Sequence, residues 1–181
     1  MRLRQKFFFG AALLAATVCL HPLHADERDF SGMVTKIFDG DSFLVRPQRG
    51  REIDVRLIDI DAPEKLQPHG AEARSALQKL IGARAVFVDV VDDDQYGRKL
   101  ARVYREPDRL DVTRALVRDG HVWVYRRTLR DRSLIPLEDA AKASGAGLWS
   151  LSVDDRIPPW RYRYVERQKK NGVAAENAKK K

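Results

Sequence analysis

Apolar residues recur along this chain in two periods. Phe30 to Phe38 and Ser42 to Val45 are short β-branched or aromatic runs parted by Asp39-Gly40-Asp41, which predicts two strands and a turn. Ile53, Val55 and Leu57 alternate at period two within Glu52 to Ile60. Ala62-Pro63 stops this third strand, because proline restricts its predecessor and has no N–H for a ladder. The period then changes. Ala73, Ala76, Leu77, Leu80 and Ile81 fall at i, i+3, i+4, i+7 and i+8, the apolar stripe of a helix ended by Gly82. Ala85 to Val91 and Lys99 to Tyr104 read as a hairpin around Asp92 to Arg98. Val112, Ala115 and Leu116 mark a second helix closing at Gly120, and His121 to Tyr125 is a short extended piece. Leu137, Ala140 and Ala141 mark a third helix ending at Gly145 or Gly147. Five strands with a helix between the third and fourth predict a mainly β domain with packed helices (α+β), an OB-fold five-stranded Greek-key barrel with about three helices.

The two ends differ from this middle. Arg2, Arg4 and Lys6 precede a 14-residue apolar run from Phe7 to Leu20, and Leu23-His24-Ala25 closes it on a small residue. That order predicts a secretory signal over residues 1–25 and a secreted or periplasmic protein, free of the membrane once the signal is removed. The run is short for a membrane span; an uncleaved anchor is the alternative. The only cysteine, Cys19, lies inside the run, so a chain beginning at Asp26 has no disulfide and no thiolate metal ligand. Residues 26–150 are long enough for one ordinary core. After Trp149 the composition shifts: Ile157-Pro158-Pro159-Trp160 breaks regular structure, Trp160, Tyr162 and Tyr164 alternate with arginines, and a Lys-rich end follows. Residues 151–181 therefore read as a basic tail, disordered from about 165.

Charge sharpens this division. The net charge of +8 resides at the ends, because Arg156 to Lys181 holds nine Lys and Arg against two Glu, leaving 22 basic and 24 acidic residues for Asp26 to Asp155. The body is not a basic surface by composition, so attraction for phosphate there must be local.

The candidate chemistry is carboxylate and guanidinium. Asp41 opens one strand and Asp61 closes another, so paired strands can bring them together as oxygen ligands of a hard cation; no His or Cys stands beside them for zinc. Arg56 and Asp61 would point to opposite faces of a flat strand, so either a bulge intervenes or Asp61 lies past the strand end, as Pro63 favours. Asp39 and Asp41 are equally good turn caps. Glu64, three after Asp61, suits a general base beside a cation or an ordinary helix start. Arg56, flanked by Val55, Leu57 and Ile58, needs a paired fork, which carboxylate or phosphate fits; a structural ion pair with Asp54 or Glu52 is the alternative. Arg98 follows a Tyr-Gly turn and is either a phosphate ligand or a solvent-facing turn residue. His69 and His121 read as polar surface or helix-start residues. Asp92-Asp93-Asp94 reads as a solvated acidic run. Trp160 to Tyr164 either stacks bases or packs back onto the barrel.

Taken in order, Asp-Gly-Asp-Ser, Val-Arg-Leu-Ile-Asp-Ile-Asp-Ala-Pro-Glu, Asp94-Gln95-Tyr96-Gly97-Arg98 and Gly147-Leu148-Trp149-Ser150 resemble the staphylococcal-nuclease-like (thermonuclease) family over about residues 30–150. The resemblance implies an OB-fold barrel and a monomeric Ca²⁺-dependent endonuclease acting on DNA and RNA, with 3′-phosphate and 5′-hydroxyl products. By position it implies that Asp41, Asp61 and the Ala62 carbonyl hold calcium. It likewise implies that Glu64 activates water, Arg56 holds the phosphate and Arg98 stabilises the charged intermediate. Tyr96, Trp123 and Tyr125 resemble its aromatic wall beside the substrate base. Ser42 stands where Thr is usual, Gln95 where the prototype has Lys, and Lys65 to Gly70 is much shorter than the prototype's basic loop. An OB-fold module that binds nucleic acid without turnover is the alternative; Glu64 discriminates, since a mere binder gains nothing from a negative charge facing phosphate.

Overall fold

The computed structural model describes residues 29–179, with backbone alone for 173–179; the signal expected over 1–25 and the last two lysines lie outside the described residues. Strands β1 (Phe30–Ile37), β2 (Ser42–Pro47) and β3 (Ile53–Leu57) form an antiparallel meander, and β4 (Ile60–Asp61) follows a two-residue break. Helix α1 (Gly70–Ile81) leads to the hairpin of β5 (Ala85–Asp93) and β6 (Lys99–Arg105), then to β7 (Leu110–Asp111) and helix α2 (Val112–Arg118). Strand β8 (Trp123–Val124), helix α3 (Leu134–Ser144), a 3₁₀ turn over Gly147–Ser150 and helix α4 (Pro159–Lys179) complete the chain.

The sheet order is β3-β2-β1-β5-β6-β7, and β6 returns to pair with β3 in parallel, closing a five-stranded barrel as the pattern predicted. Val34, Ile37, Phe43, Val45, Val55, Leu57, Val86, Val88, Val90, Ala101 and Val103 are buried, the inward half of each strand. A register shift between Val34 and Lys36 resets the phase of β1, so that Ile37 and not Lys36 turns inward. Leu77 and Ile81 of α1 and Val112 and Leu116 of α2 join the same core.

Two features were not read from the sequence. β4 pairs with β8, Asp61 opposite Trp123, and Glu138 of α3 holds that pair. Its buried carboxylate accepts the Val124 N–H at 2.7 Å and hydrogen bonds from Arg126 and Lys142, each at 2.7 Å. Of His69 and His121, expected at the surface or at helix starts, His69 is the N-cap of α1; the two are half-buried and stacked, with Nε2 and Nδ1 3.0 Å apart. Burial pushes both imidazole pKa values down.

The stretch from about 165, expected to be disordered, continues α4. Pro159 fits the first turn, where its missing N–H costs nothing, and Trp160 packs against Trp123 and Tyr125 with ring centroids 5.9 and 5.3 Å apart. The aromatic-arginine run therefore takes the second of its two readings and folds back onto the barrel.

Candidate active site

The site begins at the β1–β2 turn. Asp39 is the turn cap, accepting the Asp41 N–H at 3.0 Å. Asp41 faces inward at 1% exposure, with Oδ2 on the Ala62 N–H (2.8 Å) and Oδ1 on the Ser42 hydroxyl (2.8 Å) and Arg56 Nη1 (2.7 Å). A Cβ on Gly40 would lie 2.8 Å from the Cβ atoms of Ala62 and Ala73, so only glycine lets the turn sit this close under α1.

Strand register supplies Arg56. Val55 and Leu57 point into the barrel, so Arg56 points out, opposite Ser42. Asp61 reaches the same guanidinium because the chain kinks at Asp59, where φ is 65°. The Asp59 carboxylate fixes that kink by accepting the N–H groups of Arg130 and Asp131 at 2.7 and 3.1 Å. Asp61 thus lies past the end of β3, and its Oδ1 accepts from Arg56 Nη2 at 2.8 Å. The alternative partners of Arg56 are not used; Glu52 pairs with Arg46.

Arg98 arrives by barrel closure. Val55–Leu57 lie beside Lys99–Ala101, so the residue before β6 stands next to the strand carrying Arg56. Gly97, at φ +81°, makes the turn, and Asp94 accepts the N–H groups of Tyr96 (2.8 Å) and Arg98 (3.0 Å) and the Arg98 Nε (2.7 Å). Partial burial would raise the Asp94 carboxyl, but these donors outweigh it and hold the pKa below the usual range. Asp92 and Asp93 pair with Arg130 and Lys99 across the surface.

Arg56, Asp61, Tyr96, Arg98, Tyr125 and Arg130 line one groove of about 610 Å³. Trp123 is not among the residues lining it; its ring packs edge-on between Trp149 and Trp160, where it seats α4. Glu64 lies in a second groove of about 600 Å³, with Leu66, Tyr162 and Glu166.

Glu64 is held from both sides. The buried Gln67 side chain accepts the Glu64 N–H at 3.1 Å and donates to the Ile157 carbonyl, tying the loop to the approach of α4. Arg163 of α4 then reaches Glu64 Oε1 at 2.6 Å and Asp61 Oδ1 and Oδ2 at 3.1 and 2.7 Å. Burial would lower the Arg163 pKa, but the hydrogen bonds to Asp61 and Glu64 raise it, so the guanidinium stays charged. Sequence reasoning missed Arg163, Gln67 and Arg130. The signal for Arg163 was its spacing from Trp160, three residues and so one helical face, had the run been read as helix.

The donor set at the base of the groove suits a hard cation. Asp41 and Asp61 are buried and offer oxygen only, with the Ala62 carbonyl next in the chain, although among the described residues no three His, Cys, Asp or Glu side chains form a ready cage. Burial pushes Asp41 up to about 6 despite the Arg56 guanidinium, with Asp39 adding to the rise, so additional positive charge at this pair is favourable.

Comparison with known proteins identifies the family. The family model described as Staphylococcal nuclease homologue matches residues 54–151. An "Uncharacterized endonuclease" of Escherichia coli O157:H7 is 37% identical over 136 residues, covering 75% of this chain and 86% of that protein. "Protein ParB" of Escherichia coli is 39% identical over 163 residues, 85% of this chain and 89% of its own. A "Micrococcal nuclease" of Shigella flexneri is 34% identical over 169 residues, 88% and 95% of the two chains. With the match to the family model covering more than half of the chain and the barrel closed as the resemblance implied, this chain belongs to the staphylococcal nuclease family.

Proposed function

We propose that the protein is a Ca²⁺-dependent endonuclease that cleaves both DNA and RNA by attack of water on phosphorus, leaving 3′-phosphate ends. That it is a hydrolase of nucleic acid follows from its family; the metal, the breadth of substrate and the residue roles are our reading. One observation carries it: a single guanidinium, Arg56, spans the buried carboxylates Asp41 and Asp61 at the floor of a groove that Arg98 shares.

Asp41, Asp61 and the Ala62 carbonyl would hold the calcium, which when bound supplies positive charge to the phosphate oxygens. Arg56 spends three of its hydrogen bonds on Asp41, Ser42 and Asp61, which fixes the fork while it lines the groove. A phosphate oxygen about 4 Å from such a guanidinium gains roughly 4 kcal/mol at an effective dielectric near 20. Arg98, oriented by Asp94, meets the charge that grows as the fifth oxygen joins phosphorus. Glu64 takes the proton of the attacking water. Tyr96 and Tyr125 offer faces to a base beside the scissile phosphate. Trp123 contributes indirectly, by seating Trp160.

The leader-like start supports a secreted or periplasmic enzyme. Among the described residues no helix is long and apolar enough to cross a membrane.

The test is cleavage of plasmid and of RNA with calcium, with chelator, and with calcium restored. Activity is expected to vanish on chelation and return with calcium; robust turnover in excess chelator would overturn the metal assignment.

A separate expectation concerns the end of α4. Ending the chain before Lys169 removes five positive charges and one negative, while Trp160 and Arg163 stay. If those charges meet phosphate, the slope of log affinity against log salt should shrink by up to about four units, with turnover at saturating substrate unchanged. An unaltered slope would leave this segment without a part in capture.

A further inference from the structure

Arg163 enters the site from outside the span that the family model matches. Its Nη2 donates to Asp61 Oδ2, and its Nη1 to both Asp61 Oδ1 and Glu64 Oε1. With Arg56 also on Asp61 Oδ1, every oxygen of that carboxylate carries a guanidinium hydrogen bond. These are the atoms the proposed chemistry needs: Asp61 for the cation, Glu64 for the proton of water.

The placement of Arg163 matters as much as its contacts. It lines both grooves, with Arg56, Arg98 and Tyr125 on one side and Glu64 and Leu66 on the other. Water that attacks a phosphate held by Arg56 and Arg98 must lie in the first groove, whereas Glu64 lines the second. Arg163 therefore stands between base and phosphate.

The attachment of α4 leaves this arginine free to move. Trp160 and the Ile157 carbonyl anchor the start of the helix, one turn before Arg163. The Arg163 side chain is 39% exposed, so it can swing into solvent without unseating Trp160.

We propose that α4 is a cation-operated latch, in which the Arg163 guanidinium and a divalent cation compete for Asp61, and arrival of the cation releases Arg163 and frees Glu64 to face the groove. This rests on the reading that Asp41 and Asp61 hold the cation. Charge balance favours exchange over accumulation. Asp41, Asp61 and Glu64 oppose two guanidiniums in the latched form; with the cation bound and Arg163 withdrawn, the same three carboxylates oppose the cation and Arg56.

The experiment is a calcium titration by calorimetry on the intact protein without nucleic acid, paired with hydrogen exchange of α4. Arg163→Gln is expected to bind calcium about tenfold tighter than wild type, the factor for a latched form outnumbering the open one by about ten to one. Arg167→Gln, which loses the same charge one turn along, should bind as wild type does. Arg163→Lys, which keeps the charge but loses the fork, should fall between wild type and Arg163→Gln and serves if the glutamine variant does not fold. Calcium should speed exchange in residues 164–170 of wild type, beyond the seated Trp160, while Arg163→Gln exchanges fast there with or without it. Equal or weaker binding by the position-163 variants overturns the latch and leaves the cation reading standing. Equal tightening by Arg167→Gln also overturns it, as a general charge effect. No calcium binding by any form overturns the latch together with the cation reading.

Discussion

Glu64→Gln is expected to lower kcat by at least about 10²-fold while nucleic-acid affinity in calcium stays near its original value, because the amide keeps the shape of the carboxylate but cannot take a proton. Arg98→Lys should give a loss of the same order for a different reason. The ammonium retains the charge but not the planar fork that Asp94 holds towards the groove, and the stabilisation it supplied was realised only as charge developed. Neither loss is attributable to a lost cation. Glu64→Gln weakens a contact of Arg163, which leaves Asp61 no less available than before. Single-turnover cleavage at saturating substrate, read beside binding by fluorescence anisotropy, separates rate from affinity. Near wild-type turnover in either variant would mean that the residue has been given the wrong role.

Arg56→Gln is expected to cost stability as well as activity. Its guanidinium is the charge shared by Asp41 and Asp61, and removing one member of a buried, hydrogen-bonded ionic group typically costs about 3–5 kcal/mol. The loss should be largest in chelator at pH 8. The Asp41 pKa is raised above its unfolded value, so its carboxyl favours folding when protonated, and that advantage disappears as pH rises through about 6. Removing Arg56 moves the pKa further the same way, so the variant should differ less from wild type at pH 5. Calcium should restore part of the deficit at pH 8 by supplying the missing charge. Urea unfolding at both pH values, with calcium and with chelator, measures all of this. Equal stability of variant and wild type in chelator at pH 8 would show that Arg56 is not the counter-charge of the pair.

The barrel was legible because its signals are local. Alternation in β3, β5 and β6, the helical stripe from Ala73 to Ile81 and the glycines that end α1 and α3 each act within a few residues. Pro63 pointed to Asp61 lying past the strand end, but β3 already stops at Leu57 and the chain kinks at Asp59. What the sequence hid was long-range. Glu138 is a buried carboxylate whose partners lie on β8, and nothing in α3 itself marks it as other than a surface glutamate. Gln67 is a polar loop residue whose role depends on a carbonyl 90 positions away. α4 was misjudged because its own apolar content is low; packing of Trp160 on Trp123, not composition, attaches it. Trp123 was assigned by resemblance to the groove, and the aromatic that α4 brings lies against it instead.

The parallel contact of β3 with β6 makes the enzyme a sensor of its own completeness. Arg56 stands on β3 and Arg98 just before β6, the two strands that close the barrel, more than forty residues apart in sequence, and each is held by a carboxylate on its own side of that seam. A chain whose seam is open has two isolated arginines and no phosphate groove. Half-folded molecules are therefore expected to be inert towards nucleic acid, with cleavage following closure of the barrel.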